Sequence, residues 1–150
     1  MTPSQAPSIL KLELGRDLSE IDRVNEAFAA FAVQHNVPQT VIRQFKLVFD
    51  ELLNNTITHA FEDEGEHIIR VTVRSSDDRV TAAIADDGVP FNPLKFGKPM
   101  VEASVEEREI GGLGIHLVRN VMDDVRYHRE GEENVVTVVK HLPSAEAPTE

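Results

Sequence analysis

Two hairpin signatures stand downstream of two helical periodicities in this chain, and that order restricts the fold more than any other feature. Ile69, Val71 and Val73 alternate with polar residues, and Val80, Ala82 and Ile84 do so again after a turn at Ser76–Asp78. A second pair of short strands, Val125–Arg129 and Val135–Leu142, flanks Gly131. Ahead of these, Ile21, Val24, Phe28 and Phe31 recur at helical spacing behind Asp17 or Ser19, either of which can cap a helix. Asn36 and Pro38 end that helix and start another, which runs to about Phe61 with Val41, Phe45, Val48, Leu52 and Ile57 on one broad face. A short strand from Ile9 to Leu14 precedes both helices, and a glycine-opened helix from Leu113 to Met122 precedes the last hairpin. This order predicts an α+β two-layer sandwich: one mixed, mostly antiparallel sheet with helices on one face. It does not fit the strict strand–helix alternation of a doubly wound sheet.

A chain of 150 residues suits one domain, predicted here over residues 9–142, with residues 1–8 and 143–150 as disordered ends. Between Val89 and Gly112 no period is clean, and an irregular stretch of about twenty residues is usually functional or mobile. The absence of cysteine excludes disulfides and thiolate zinc sites. With 26 acidic against 15 basic residues the formal charge is −11, which repels nucleic acid and anionic membranes at long range. It does not exclude a phosphate ligand, since backbone N–H groups and Mg²⁺ neutralise phosphates locally. No run of 18 apolar residues and no signal-peptide plan is present, so the expectation is a soluble cytoplasmic protein without nucleic-acid or membrane partners.

Three segments carry candidate chemistry. In FDELLNNTITHAF, Glu51, Asn55 and His59 recur at every fourth position and form one polar stripe along a helix. A carboxylate and an amide one turn apart can hold a metal-bound water and an oxygen-seeking cation such as Mg²⁺; an ordinary solvated face reads the same way. In IADDGVPFNP, Asp86 stands at a strand end, where its carboxylate can accept a hydrogen bond from an exocyclic amine and Gly88 can admit a base closely. A plain Asp-Gly turn is the alternative. In EIGGLGIHLVRNVMD, Gly111, Gly112 and Gly114 feed a helix N-terminus, an arrangement that suits phosphate or serves only as a hinge. The pattern is neither GxGxxG nor GxxxxGK[ST].

Taken in order, a carboxylate–amide helix, a strand with DxG, a long loop and a GGLG helix resemble the GHKL (Bergerat-fold) ATPases. Within them, DDGVPFNP and GGLGIHLVRNVMDDVRY are similar to the anti-sigma factor serine kinases of the RsbW and SpoIIAB type, over roughly residues 9–142. The resemblance implies roles for individual positions. Asn55 would coordinate Mg²⁺ and Glu51 would act as general base. Asp86 would bind the adenine amine, and Gly88 would shape that pocket. Gly112, Leu113 and Gly114 would contact the phosphates, and residues 89–111 would form an ATP lid in which Arg108, more than Lys95 or Lys98, would reach the γ-phosphate. Thr137 would support Asp86 at the adenine. Pro90 departs from the second glycine of DxGxG, and Asn54 competes with Asn55, which is preferred because it lies a full turn from Glu51. His59 and His116 read as structural as readily as catalytic, and His67, His128 and His141 read as exposed strand residues.

The implied activity is γ-phosphoryl transfer from Mg-ATP to a serine or threonine of a STAS-domain anti-sigma factor antagonist. A sigma factor or another regulator would be the alternately held partner, and the surface would be the first helix, Arg23 included, of a homodimer. The rival reading is an ATP-binding switch that sequesters a partner without phosphorylating it. Glu51 argues for the kinase, and it also argues against a sensor histidine kinase, which usually carries Asn at that position.

Overall fold

A computed structural model describes residues 8–63, 65–94 and 113–143, without the side chain of Leu113. The expectations for Gly111, Gly112, Lys95, Lys98 and Arg108, for most of the lid and for the two chain ends lie outside the described residues. The elements are β1 (Ser8–Leu14), α1 (Glu20–Gln34), α2 (Gln39–His59), β2 (Ile69–Ser75), β3 (Arg79–Asp86), α3 (Leu113–Val121), β4 (Asp124–Glu130) and β5 (Glu133–His141). The strands form one sheet in the order β1-β2-β3-β5-β4. Every pairing is antiparallel, so the expected mixed character reduces, among the described residues, to a wholly antiparallel sheet.

Strand parity decides which side chains meet the helices. Ile69, Val71 and Val73 of β2, Val80, Ala82 and Ile84 of β3, and Val136 and Val138 of β5 are buried together with residues of all three helices. Lys11, Arg70, Arg74 and Arg126 point the other way and are exposed. Between α1 and α2 the packing is aromatic: Phe28 lies 5.0 Å from Phe45 and meets Phe49 edge-on at 5.4 Å. Such pairs add about 0.5–1.5 kcal/mol each beyond the area they bury.

The sharp turn between the first two helices is built into residues 35–38. Asn36 adopts a left-handed φ of 63°. Its N–H donates to Val33 O, and the Val37 N–H donates back to Ala32 O at 2.9 Å, which satisfies two carbonyls that a helix end leaves free. Pro38 then stands at the N-cap of α2. At the other end of α1, the Asp17 carboxylate accepts the Ser19 N–H at 3.1 Å, and Ser19 itself makes no side-chain cap.

A Cβ is tolerated poorly at a left-handed φ, though less so for asparagine than for alanine. Asn36→Ala is therefore expected to cost about 1 kcal/mol of stability, and Asn36→Gly to cost nothing or to stabilise. Urea unfolding midpoints compare the three proteins directly; indistinguishable midpoints would contradict the assignment.

Candidate nucleotide and metal site

Glu51 and Asn55 occupy successive turns of α2 and face inward. The Glu51 carboxylate is half-buried, and burial first, then neighbouring Asp50, raises its pKa above the usual carboxylate value. It lies directly against Gly114, the second residue of α3: a Cβ there would fall 1.9 Å from Glu51 Oε1. The third glycine of the GGLG run is thus what lets the first turn of α3 sit on the carboxylate.

Asn55 is 5% exposed, and its Nδ2 has no hydrogen-bond partner. Which end of an amide is nitrogen is settled by its partners, so the unpartnered end can equally present Oδ1 to a ligand. Asn54, the competing residue, is exposed and accepts a hydrogen bond from Thr58 Oγ1 at 3.1 Å on the outer side of the helix. Among the described residues no cluster of three or more His, Cys, Asp or Glu could hold a metal ion. A single amide oxygen suits Mg²⁺, which commonly takes one or two protein ligands and completes its shell with phosphate and water. The residues present therefore fit that ion.

Asp86 closes β3 and is 3% exposed. Burial raises its pKa, opposed by hydrogen bonds from Asn134 and from the Gly88 N–H. Both donors reach Oδ1, at 2.9 and 2.8 Å, and among the described hydrogen bonds Oδ2 receives none. An incoming N–H can therefore be accepted at Oδ2. Gly88 was expected to make room for a base, but the close approach is to α2. A Cβ at Gly88 would lie 2.2 Å from the Ala60 carbonyl oxygen, and the adjacent Val89 N–H donates to that same oxygen at 2.9 Å.

Thr137 does not support Asp86. It pairs with Ala83, an odd number of residues from Asn134, so its side chain lies on the opposite face of the sheet. There it lines a hollow of about 410 Å³ with Arg79, Arg126 and His141. The residue beside Asp86 is Asn134, which sequence reasoning missed. Asn134 is 1% exposed and donates to Asp86 and, at 2.8 Å, to Val89 O. Its Oδ1 accepts the Tyr127 hydroxyl at 2.6 Å, the Phe91 N–H at 3.0 Å and Arg129 at 3.2 Å. Arg129 also donates to Gly88 O at 2.8 Å. Its parity with Val136 and Val138 puts this polar side chain on the core side, but with Val135 and Val139 on the other parity only the pairing with β3 identifies that face.

The histidines divide. His59 is exposed at the end of the α2 stripe, 5.9 Å from the Phe91 ring, and His116 is exposed on α3. His128 and His141 are exposed, near Glu130 and Asp123. His67 is not an exposed strand residue: it precedes β2, is 16% exposed and contacts two carboxylates.

A family model described as a histidine kinase-like ATPase domain matches residues 15–140. The serine/threonine-protein kinase BtrW of Bordetella bronchiseptica is 33% identical over 95 residues, covering 63% of this chain and 67% of that protein. An anti-sigma F factor of Bacillus licheniformis is 28% identical over 129 residues, covering 82% of this chain and 88% of that one. Among solved structures, a histidine kinase domain from the Erythrobacter litoralis EL346 blue-light activated histidine kinase matches with a TM-score of 0.52 at 15% identity. It spans 83% of this chain and 60% of that one, a likeness of fold.

The two glycines separate experimentally. Gly88→Ala drives a methyl into backbone and is expected to cost about 1–3 kcal/mol, whereas Gly114→Ala meets only the movable end of Glu51. Thermal unfolding should show a clear loss for the first and a small one for the second. Equal losses would contradict the packing described.

Proposed function

The chain belongs to the histidine kinase-like ATPase domain family, and we propose that it is a Mg-ATP-dependent serine/threonine protein kinase and anti-sigma regulator. The observation that carries this reading is the contact of the Glu51 carboxylate with Gly114. It sets a base of raised pKa against the first turn of α3, where free N–H groups favour phosphate. A general base is most effective when its pKa approaches the working pH, and burial moves Glu51 in that direction.

In this reading Asp86 Oδ2 accepts the amine of adenine, while Asn134 and the Gly88 N–H hold the other oxygen. Asn55 Oδ1 would hold Mg²⁺, and that ion would supply positive charge against the phosphates. The backbone of Gly114 and Leu113, with that of Gly112, would receive the phosphates, and Arg108 would be the cation that meets them. Glu51 takes the proton from the attacking serine or threonine hydroxyl. Positioning and charge do most of such a transfer, so the protein needs no covalent intermediate.

Relatives named as a serine/threonine-protein kinase and as an anti-sigma F factor support a kinase that switches partners. The phosphorylated partner would be a STAS-domain antagonist. A sigma factor or other regulator would bind the same surface on α1 of a homodimer, in the cytoplasm. No helix among the described residues is long and apolar enough to cross a membrane.

Two measurements test the reading. Saturating Mg-ATP, at about a hundred times its Kd, should raise the thermal midpoint by about 5–10 °C, and Asn55→Ala should abolish the Mg²⁺-dependent part. Glu51→Gln should still bind ATP yet transfer phosphate to a STAS-domain antagonist about 10²–10⁴ times more slowly. A Glu51→Gln protein that transfers at the native rate would remove the catalytic role given to Glu51, whereas a native protein that binds ATP without transferring phosphate would leave the sequestering switch as the better description.

A further inference from the structure

We infer that His67 is a positioning residue of the nucleotide-base pocket, holding the Asp87–Gly88 loop in place by bridging Asp87 to Asp63. The inference rests on the assignment of Asp86 and Gly88 to that pocket.

The geometry is specific. His67 Nδ1 lies 2.8 Å from Asp87 Oδ1, and Nε2 lies 2.8 Å from Asp63 Oδ1. Ionised carboxylates only accept hydrogen bonds, and a neutral imidazole has a single N–H. Both contacts are hydrogen bonds only while the ring carries two protons. Loss of one proton sets a nitrogen lone pair against a carboxylate oxygen, and one of the two bonds has to open.

The far side of the bridge is anchored. The Phe61 ring stacks on His67 at 4.5 Å, and the Arg16 guanidinium lies 4.8 Å over the Phe61 ring. Arg16 also donates to Asp63 O at 2.6 Å and Gly65 O at 2.9 Å, so the end of β1 fixes the segment that carries Asp63. Among the described contacts the Asp87 side chain meets only His67, and Asp87 immediately precedes Gly88, whose carbonyl accepts from Arg129. His67 and Asp87 line, with Glu62, Pro90, Arg129 and Glu132, a hollow of about 400 Å³ that continues to Gly88 and Val89.

Among the described residues, the charged groups around the ring are Asp63 and Asp87 in direct contact, Glu62 and Glu132 lining the same hollow, and the cations Arg16 and Arg129. The hydrogen bond to Asp63, then that to Asp87, raises the His67 pKa above its ordinary value. With the folded value raised, the bridge is complete below about pH 6.5, where histidine is protonated even in the unfolded chain. It is lost as the pH climbs through the raised folded value. Nucleotide affinity follows the bridge and weakens over the same interval.

The test is ATP affinity by calorimetry from pH 6 to pH 9 on the whole chain and two variants. In the native protein the Kd should rise by about fivefold or more across the interval, a usual size for coupling between neighbouring sites. His67→Gln should bind weakly with only the shallow dependence of ATP itself. Asp87→Asn separates positioning from mere folding. An amide can donate to the unprotonated ring nitrogen, so the bridge survives with neutral His67 and affinity should stay high at alkaline pH. By linkage, Mg-ATP should also raise the His67 pKa read by NMR. A native profile that parallels His67→Gln, or an Asp87→Asn profile like the native one, overturns the inference while leaving the base pocket intact. Absence of ATP binding by the native protein at every pH overturns the pocket and the inference together.

Discussion

The carbonyl of Ala60 is where the helical layer and the sheet are joined at the site. It is a helix-end carbonyl with no partner inside α2, and the Val89 N–H takes it at 2.9 Å. The contact is possible only because residue 88 has no side chain, since a Cβ would sit 2.2 Å from that oxygen. The candidate site residues are placed relative to this joint. Glu51 and Asn55 lie along the helix that ends here, and Asp86 lies on the strand that arrives here. A shift of the loop by one side chain would change the distance between Asp86 and the pair Glu51 and Asn55.

Burying polar groups at such a joint costs free energy unless each finds a partner. Asn134 solves most of the problem for the strand side. It gives its two amide protons to Asp86 and Val89 and accepts from Tyr127, Phe91 and Arg129. Asn55 is treated differently, since its buried Nδ2 has no partner. An unpartnered buried atom is not by itself a signature: Asn25 and Gln44 each leave an oxygen in the same condition. Asn55 is distinguished by its place, one turn from a half-buried carboxylate that is itself covered by the start of α3.

The element order and the polar stripe of α2 were legible in the sequence because both rest on local periodicity, whereas only tertiary packing turns Glu51 and Asn55 inward. Glu51 and Asn55 came out on one face, and the turn from Asn36 to Pro38 was marked by residue type. What escaped depends on register and on distant partners. Residues Val135, Val136, Val138 and Val139 surround Thr137, so β5 is apolar on both faces and its sequence does not say which parity points inward. Pairing with β3 settles that, placing Asn134 with Asp86 and Thr137 with Ala83. His67 lies twenty positions from Asp87, and no local pattern links them. Gly88 was recognised as a position needing space, but the neighbour that takes the space is a helix end fixed only by tertiary packing.

The two carboxylates of the site share one perturbation and differ in how it is answered. Burial raises the pKa of both Asp86 and Glu51. Asp86 receives two hydrogen bonds that favour its ionised form, so it remains an acceptor whose free oxygen has a fixed direction. Glu51 receives no donor among the described hydrogen bonds, and nearby Asp50 pushes it further the same way. Environments that separate two like groups in this manner separate their work: one is suited to recognise a donor, the other to take a proton. That division follows from which carboxylate meets N–H donors and which is faced by Gly114, whose lack of a side chain leaves room for the Glu51 carboxylate at the start of α3.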